Sequence, residues 1–130
     1  MRILDHVGLK VTSLARAKAF YDHALAPLGV TPLFEAPASE SGGMAFIGYG
    51  EGFRPYLWTN EQPRATELIH VAFAADTRAK VDAFYAAALA AGGRDNGPPG
   101  LRPEYHSAYY GAFVLDPDGH NIEAVCHAPA

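Results

Sequence analysis

Asp5-His6-Val7-Gly8-Leu9 and Ile69-His70-Val71-Ala72-Phe73 decide the fold, because they are one stretch written twice. A shift of 64 residues lays His6-Val7 on His70-Val71 and Leu9 on Phe73 without a gap. The same shift lays Ala19-Phe20-Tyr21 on Ala83-Phe84-Tyr85, Ala24-Leu25-Ala26 on Ala88-Leu89-Ala90, and Gly29 on Gly93. The alanine matches carry little, since alanine is abundant. His-Val, Phe-Tyr and a helix-ending Gly at a single offset are much harder to obtain by chance. The 130 residues therefore form one domain built from two modules, the first over about 1–60 and the second over about 67–128.

Each module opens with a short strand, over 5–11 or 68–74, whose apolar residues alternate with others. A helix cap follows, Thr12 or Ser13 in the first and Asp76 or Thr77 in the second; such side chains accept hydrogen bonds from free amides of the first turn. Leu14, Ala17, Phe20, Tyr21, Ala24 and Leu25 then form one apolar stripe, and Val81, Phe84, Tyr85, Ala88 and Leu89 form its counterpart. Pro27 ends the first helix early, and Gly29 and Gly92-Gly93 are natural stops. Strands are expected over 42–49 and 55–59, around Gly50-Glu51-Gly52, and over 109–115 and 121–127, around Asp116-Pro117-Asp118-Gly119. Residues 94–103, with three Pro and two Gly, read as an ordered surface loop. The order strand, helix, three strands, twice over, defines an α+β fold.

Composition excludes several functions. A net charge of −4 disfavours nucleic acid, which needs a basic patch to neutralise phosphates. The apolar run from Ala83 to Ala91 is about half of the roughly 18–20 residues that span a bilayer, and no basic amphipathic stretch is present. Asp5 comes too early for a signal-peptide apolar region, and Cys126 has no partner for a disulfide. The expectation is a soluble cytoplasmic protein with no nucleic-acid or membrane partner.

The repeat puts His6 and His70 at equivalent positions on equivalent strands. With pseudo-twofold packing the two imidazoles would point into a common space, and Glu123 is a third candidate. Two imidazoles and a carboxylate suit Fe(II), Mn(II), Zn(II) or Ni(II) while leaving coordination sites free. Glu123 shares a strand face with Asn121 and Val125, opposite Ile122 and Ala124. Between Arg102 and Tyr110, His106 is a candidate general acid or base, and Tyr109 or Tyr110 a candidate hydrogen-bond donor to a substrate oxygen. Arg102, Tyr105 and Asn121 are candidate substrate contacts. The competing reading makes this segment a loop whose aromatics cover the sheet. Phe46, Tyr56, Trp58 and Phe113 are core candidates, although Tyr56 or Trp58 could line a site for a planar substrate. His120, beside a tight turn, and His23, on a helix, are expected to be exposed. Phe20 and Phe84 are expected in the core.

The segments Asp5–Val11, Ala19-Phe20-Tyr21, Ile69–Phe73 and Asp116-Pro117-Asp118-Gly119-His120-Asn121-Ile122-Glu123 together resemble the vicinal oxygen chelate superfamily. That superfamily includes glyoxalase I, extradiol dioxygenases and bleomycin-resistance proteins, and the resemblance covers nearly the whole chain. It implies two βαβββ modules forming an open, incomplete barrel around a cavity for a divalent metal and a small substrate. His6, His70 and Glu123 match its metal-ligand positions, and it further implies a homodimer. Glyoxalase I carries a fourth ligand, usually Glu, on the last strand of the first module. The 64-residue shift puts Thr59 there, and alignment on the turn glycines Gly52 and Gly119 puts Tyr56 there. Neither is a carboxylate, so the set resembles the three ligands of extradiol dioxygenases. The alternatives are a glyoxalase-like lyase or isomerase, and a metal-free binding protein of the bleomycin-resistance kind.

Overall fold

The computed structural model describes residues 3–37, 45–64 and 67–129. Its first half runs β1 (Val7–Val11), α1 (Leu14–Ala24), β2 (Thr31–Ala36), β3 (Phe46–Glu51) and β4 (Arg54–Glu61). Its second half runs β5 (His70–Ala74), α2 (Arg78–Ala90), β6 (Arg94–Leu101), β7 (Tyr110–Leu115) and β8 (Asn121–Cys126). Two four-stranded sheets result, ordered β1-β4-β3-β2 and β5-β8-β7-β6. In each sheet the first and last strands of the module pair in parallel and the other pairs are antiparallel. The fold is α+β, two βαβββ modules with open sheets, as the repeat requires. Of the strand expected over 42–49, residues 42–44 lie outside the described residues.

Ser13 and Thr77 are the caps, accepting from the backbone amides of Arg16 and Lys80. α1 ends at Ala24, and Pro27 sits in a separate 3₁₀ turn, Ala26–Leu28, closed by Gly29 at φ 78°. Ala17, Phe20, Tyr21 and Ala24 of α1 and Val81, Phe84 and Ala88 of α2 are buried, and both helices feed one apolar core shared by the two sheets. This places the helices on one side of each sheet and leaves the opposite face of each sheet for a site.

Two expectations about strands require correction. Residues 94–101 are not a loop but β6, and β2 was not foreseen. Both are edge strands carrying proline: Pro32 in β2, Pro98 and Pro99 in β6, with register slips beside them. An edge strand leaves one side of its backbone unpaired, so a residue without an N–H is tolerated there.

The register also corrects the inter-module correspondence. Ala72 lies opposite Glu123 on β8, and Gly8, the counterpart of Ala72, lies opposite Trp58 on β4. Trp58 therefore occupies the place of Glu123 in module one, not Thr59 or Tyr56. Thr59 is buried with its hydroxyl toward the Ile47 carbonyl at 3.5 Å.

The Asp116–Gly119 turn ties the modules together. Buried Asp116 accepts from the amides of Asp118 and His120, both at 2.9 Å, and from the Tyr21 hydroxyl of α1 at 2.5 Å. Asp118 accepts from Thr12 through backbone N–H and hydroxyl. His120 is not exposed but fully buried. Its ring is gripped from both modules, by the Ile69 amide and the Lys10 carbonyl.

Candidate functional site

Alternation along β8 puts Ile122 and Ala124 into the shared core and turns Glu123 to the other face. There the His70 Nε2 is 2.8 Å from Glu123 Oε1, and the Tyr109 hydroxyl donates to Oε2. The Glu123 side chain is 2% exposed and that of His70 52%. Among the described residues no lysine or arginine pairs with Glu123. A carboxylate removed from water is costly unless charge or hydrogen bonds compensate it. Burial, and then the bond to Glu123, push the Tyr109 phenol above its ordinary value, so it stays a neutral donor at physiological pH. Phe113 lies opposite Glu123 in the β7–β8 ladder, 6.1 Å from the His70 ring.

Around this pair the structure gathers some of the expected residues. Tyr105 packs edge-on to Tyr109 at 4.8 Å, and Arg102 stacks over Phe113 at 5.5 Å. Asn121 lies opposite His70 in the β5–β8 ladder and accepts from Asn96. His106 and His127 share a hydrogen bond, Nε2 to Nδ1, at 2.8 Å. His106 meets Tyr109 only ring edge to ring face, at 5.5 Å, so the described hydrogen bonds do not wire it to Glu123.

Other candidates fall elsewhere. Tyr110 donates to Asp82 of α2 and lies under the Arg78 guanidinium, on the helix side of the sheet. It cannot serve Glu123, because successive residues of β7 face opposite ways. Trp58 packs with Phe34 and Phe46 on sheet one, and the Tyr56 hydroxyl donates to Glu51. His6 is exposed, with its Nδ1 2.7 Å from Asp5. It lines a cavity of about 490 Å³ with Val71–Ala74 and an open hollow of about 390 Å³ with Gly8, Phe46, Trp58 and Asn60. Among the described residues no three His, Cys, Asp or Glu side chains gather into a cluster fit for a metal. The expected meeting of both imidazoles with Glu123 does not occur among them.

His70 and Glu123 nonetheless suit two ligand positions of a divalent transition metal. One is a half-exposed imidazole, the other a buried carboxylate with no lysine or arginine partner among the described residues, oriented by a tyrosine hydroxyl. Phe113 was missed as a site residue, because alternating apolar strands do not reveal which face holds the core.

The sequence model of the Glyoxalase/Bleomycin resistance protein/Dioxygenase superfamily matches residues 3–124, and the chain belongs to that superfamily. A glyoxalase/bleomycin resistance protein from Albidiferax ferrireducens T118 is 29% identical, over 96% of this chain and 98% of its own, with a TM-score of 0.78. Two further structures share the fold. A glyoxalase-related enzyme from Fulvimarina pelagi is 20% identical over 97% of this chain and 88% of its own, TM-score 0.71. Glyoxalase I from Zea mays is 19% identical over 98% of this chain, TM-score 0.74, and this chain spans 45% of it. Comparison with curated proteins finds no match. No helix among the described residues is long and apolar enough to cross a membrane.

Proposed function

We propose that the protein is a metal-dependent enzyme acting on a small substrate that offers two neighbouring oxygens, with ring-cleaving dioxygenase chemistry favoured by its donor set. The observation that carries this is the buried Glu123 carboxylate, held by His70 and Tyr109 and without a lysine or arginine partner among the described residues. The metal, Fe(II), Mn(II), Zn(II) or Ni(II), would be held by His70, Glu123 and His6, and when bound supplies a Lewis acid that stabilises negative charge on the two oxygens. Tyr109 orients the carboxylate, and Phe113 gives the substrate an apolar wall. Trp58 in the place of a fourth carboxylate weighs against the lyase reading. A metal-free binding protein would not require the His70–Glu123 pair.

Among the described residues His6 does not join His70 and Glu123 in a cluster, and the proposed site takes its third donor from His6 of a second copy, in a cytoplasmic homodimer. Subunit mixing tests this. His6→Ala and His70→Ala chains, each deficient alone, form mixed dimers in which one of the two composite sites is intact. An equimolar refolded mixture should recover about a quarter of the wild-type tightly bound Mn(II) or Zn(II), measured after desalting. No recovery would overturn the composite site. Wild-type protein that holds no transition metal on titration would overturn the enzyme reading altogether.

A further inference from the structure

We propose that Arg102 is a built-in anion acceptor and that the substrate of the neighbouring site carries a carboxylate beside its paired oxygens. The substrate class rests on the proposed function; the anion acceptor stands on its own observations.

The Arg102 guanidinium is fixed from several directions. It lies 5.5 Å over the Phe113 ring, its Nη2 donates to the Pro98 carbonyl at 2.6 Å, and its backbone amide donates to the Tyr109 carbonyl at 2.8 Å. Gly97 and Gly100 make room for it: a Cβ on either would stand 3.2 Å from Nη2 or 3.1 Å from Nη1. Holding a long side chain in one place costs rotamer entropy, and an ion pair is the usual compensation. Among the described residues no carboxylate lies within 4.0 Å of Arg102, as is also true of Lys10, Arg54, Arg78 and Arg94; Arg102 differs from these in stacking on Phe113, the residue opposite Glu123. One carbonyl is its single described side-chain acceptor, for a group with five N–H donors.

Its location supplies the rest. Phe113, on which it stacks, lies opposite Glu123 and beside His70. A planar guanidinium with unused N–H groups matches a carboxylate in a bidentate way. A singly charged carboxylate suits this place better than a phosphate dianion, because the Glu123 carboxylate is nearby and the chain carries −4 overall.

The test begins without metal. In ¹⁵N-labelled protein, the Arg102 Nε–H resonance, assigned by its loss in Arg102→Lys, should move saturably with benzoate and not with benzyl alcohol. Arg102→Gln should keep the wild-type circular dichroism and lose the heat of benzoate binding. In Mn(II)-loaded protein, 3,4-dihydroxybenzoate should bind about tenfold tighter than catechol, as charge-assisted hydrogen bonds allow. Arg102→Gln should collapse that ratio to about one with catechol affinity retained. An unmoved resonance, an equal response to benzyl alcohol, a stronger response to phenyl phosphate than to benzoate, or equal diphenol affinities in wild type would each overturn the proposal. A protein that binds benzoate at Arg102 yet retains no metal would sink the enzyme reading alone and leave the anion acceptor standing.

Discussion

The imidazole of His120 uses both ring nitrogens on backbone. Nδ1 accepts from the Ile69 amide at 3.1 Å and Nε2 donates to the Lys10 carbonyl at 2.7 Å, which fixes the tautomer protonated at Nε2. His120→Ala would take the partner from the Ile69 amide and the Lys10 carbonyl and leave a buried void, at a cost of about 3–5 kcal/mol. His23→Ala removes an exposed ring bonded only to its own helix, at Ala19, and should change stability by less than about 0.5 kcal/mol. Urea midpoints of the two variants measure the contrast, and equal midpoints would show that His120 is no weld. The sequence reading placed His120 in solvent because it weighs only neighbours along the chain. The partners that bury it lie 51 and 110 residues away in sequence. Glu123 was legible for the opposite reason: strand alternation alone separates it from Ile122 and Ala124, and its partner His70 is flagged by the repeat.

At the level of elements, β1, α1, β5, α2 and the β7–β8 hairpin were legible because each carries periodicity bounded by caps or turn residues. β2 and β6 were not, because proline is read as a strand breaker, whereas these are edges that need no second ladder. The last strand of module one shows a subtler limit, since a gap-free shift cannot register the bulge between Tyr49 and Gly50 in β3. That register brings Trp58 opposite Gly48, where module two has Glu123 opposite Phe113. The indole occupies the space a side chain at 48 would need: a Cβ there would fall 2.6 Å from Trp58 Cζ3. Gly48→Ala should therefore displace the indole, shift tryptophan fluorescence and cost about 1–3 kcal/mol. In a Trp58→Ala background the same substitution should be nearly neutral, because the clash has been removed. A double-mutant cycle measures this coupling, and additive costs would show that backbone strain, not the ring, excludes a side chain.

Across the whole molecule, equivalence of the two histidines was readable from the repeat, but not which copies meet; a duplication states correspondence and leaves pairing open. The halves are joined within this chain by the shared core and by the Asp116–His120 segment, where the Tyr21 hydroxyl meets buried Asp116 beside the Thr12–Asp118 and Lys10–His120 contacts. Burial first, then the Asp116 carboxylate, hold the Tyr21 phenol well above its ordinary value. The unfolded chain releases this proton near pH 10 and the folded chain keeps it, so above that pH the unfolded state binds fewer protons. The stabilisation is thus complete below about pH 10 and declines above it by about 1.4 kcal/mol per pH unit for each such tyrosine, until the folded form also ionises. Tyr49, raised by burial and by Asp22, and Tyr109 add to the same decline. Tyr21→Phe lacks the proton but takes the hydroxyl donor from Asp116 Oδ2, leaving only the two amides on Oδ1, so it should be less stable at pH 8 by about 1–3 kcal/mol. Its alkaline decline should be shallower by one tyrosine, and the two stability curves should converge between pH 8 and pH 11. Urea unfolding at a series of pH values reads both curves. Curves that stay parallel would show that the inter-module contact is not a neutral phenol held against a carboxylate.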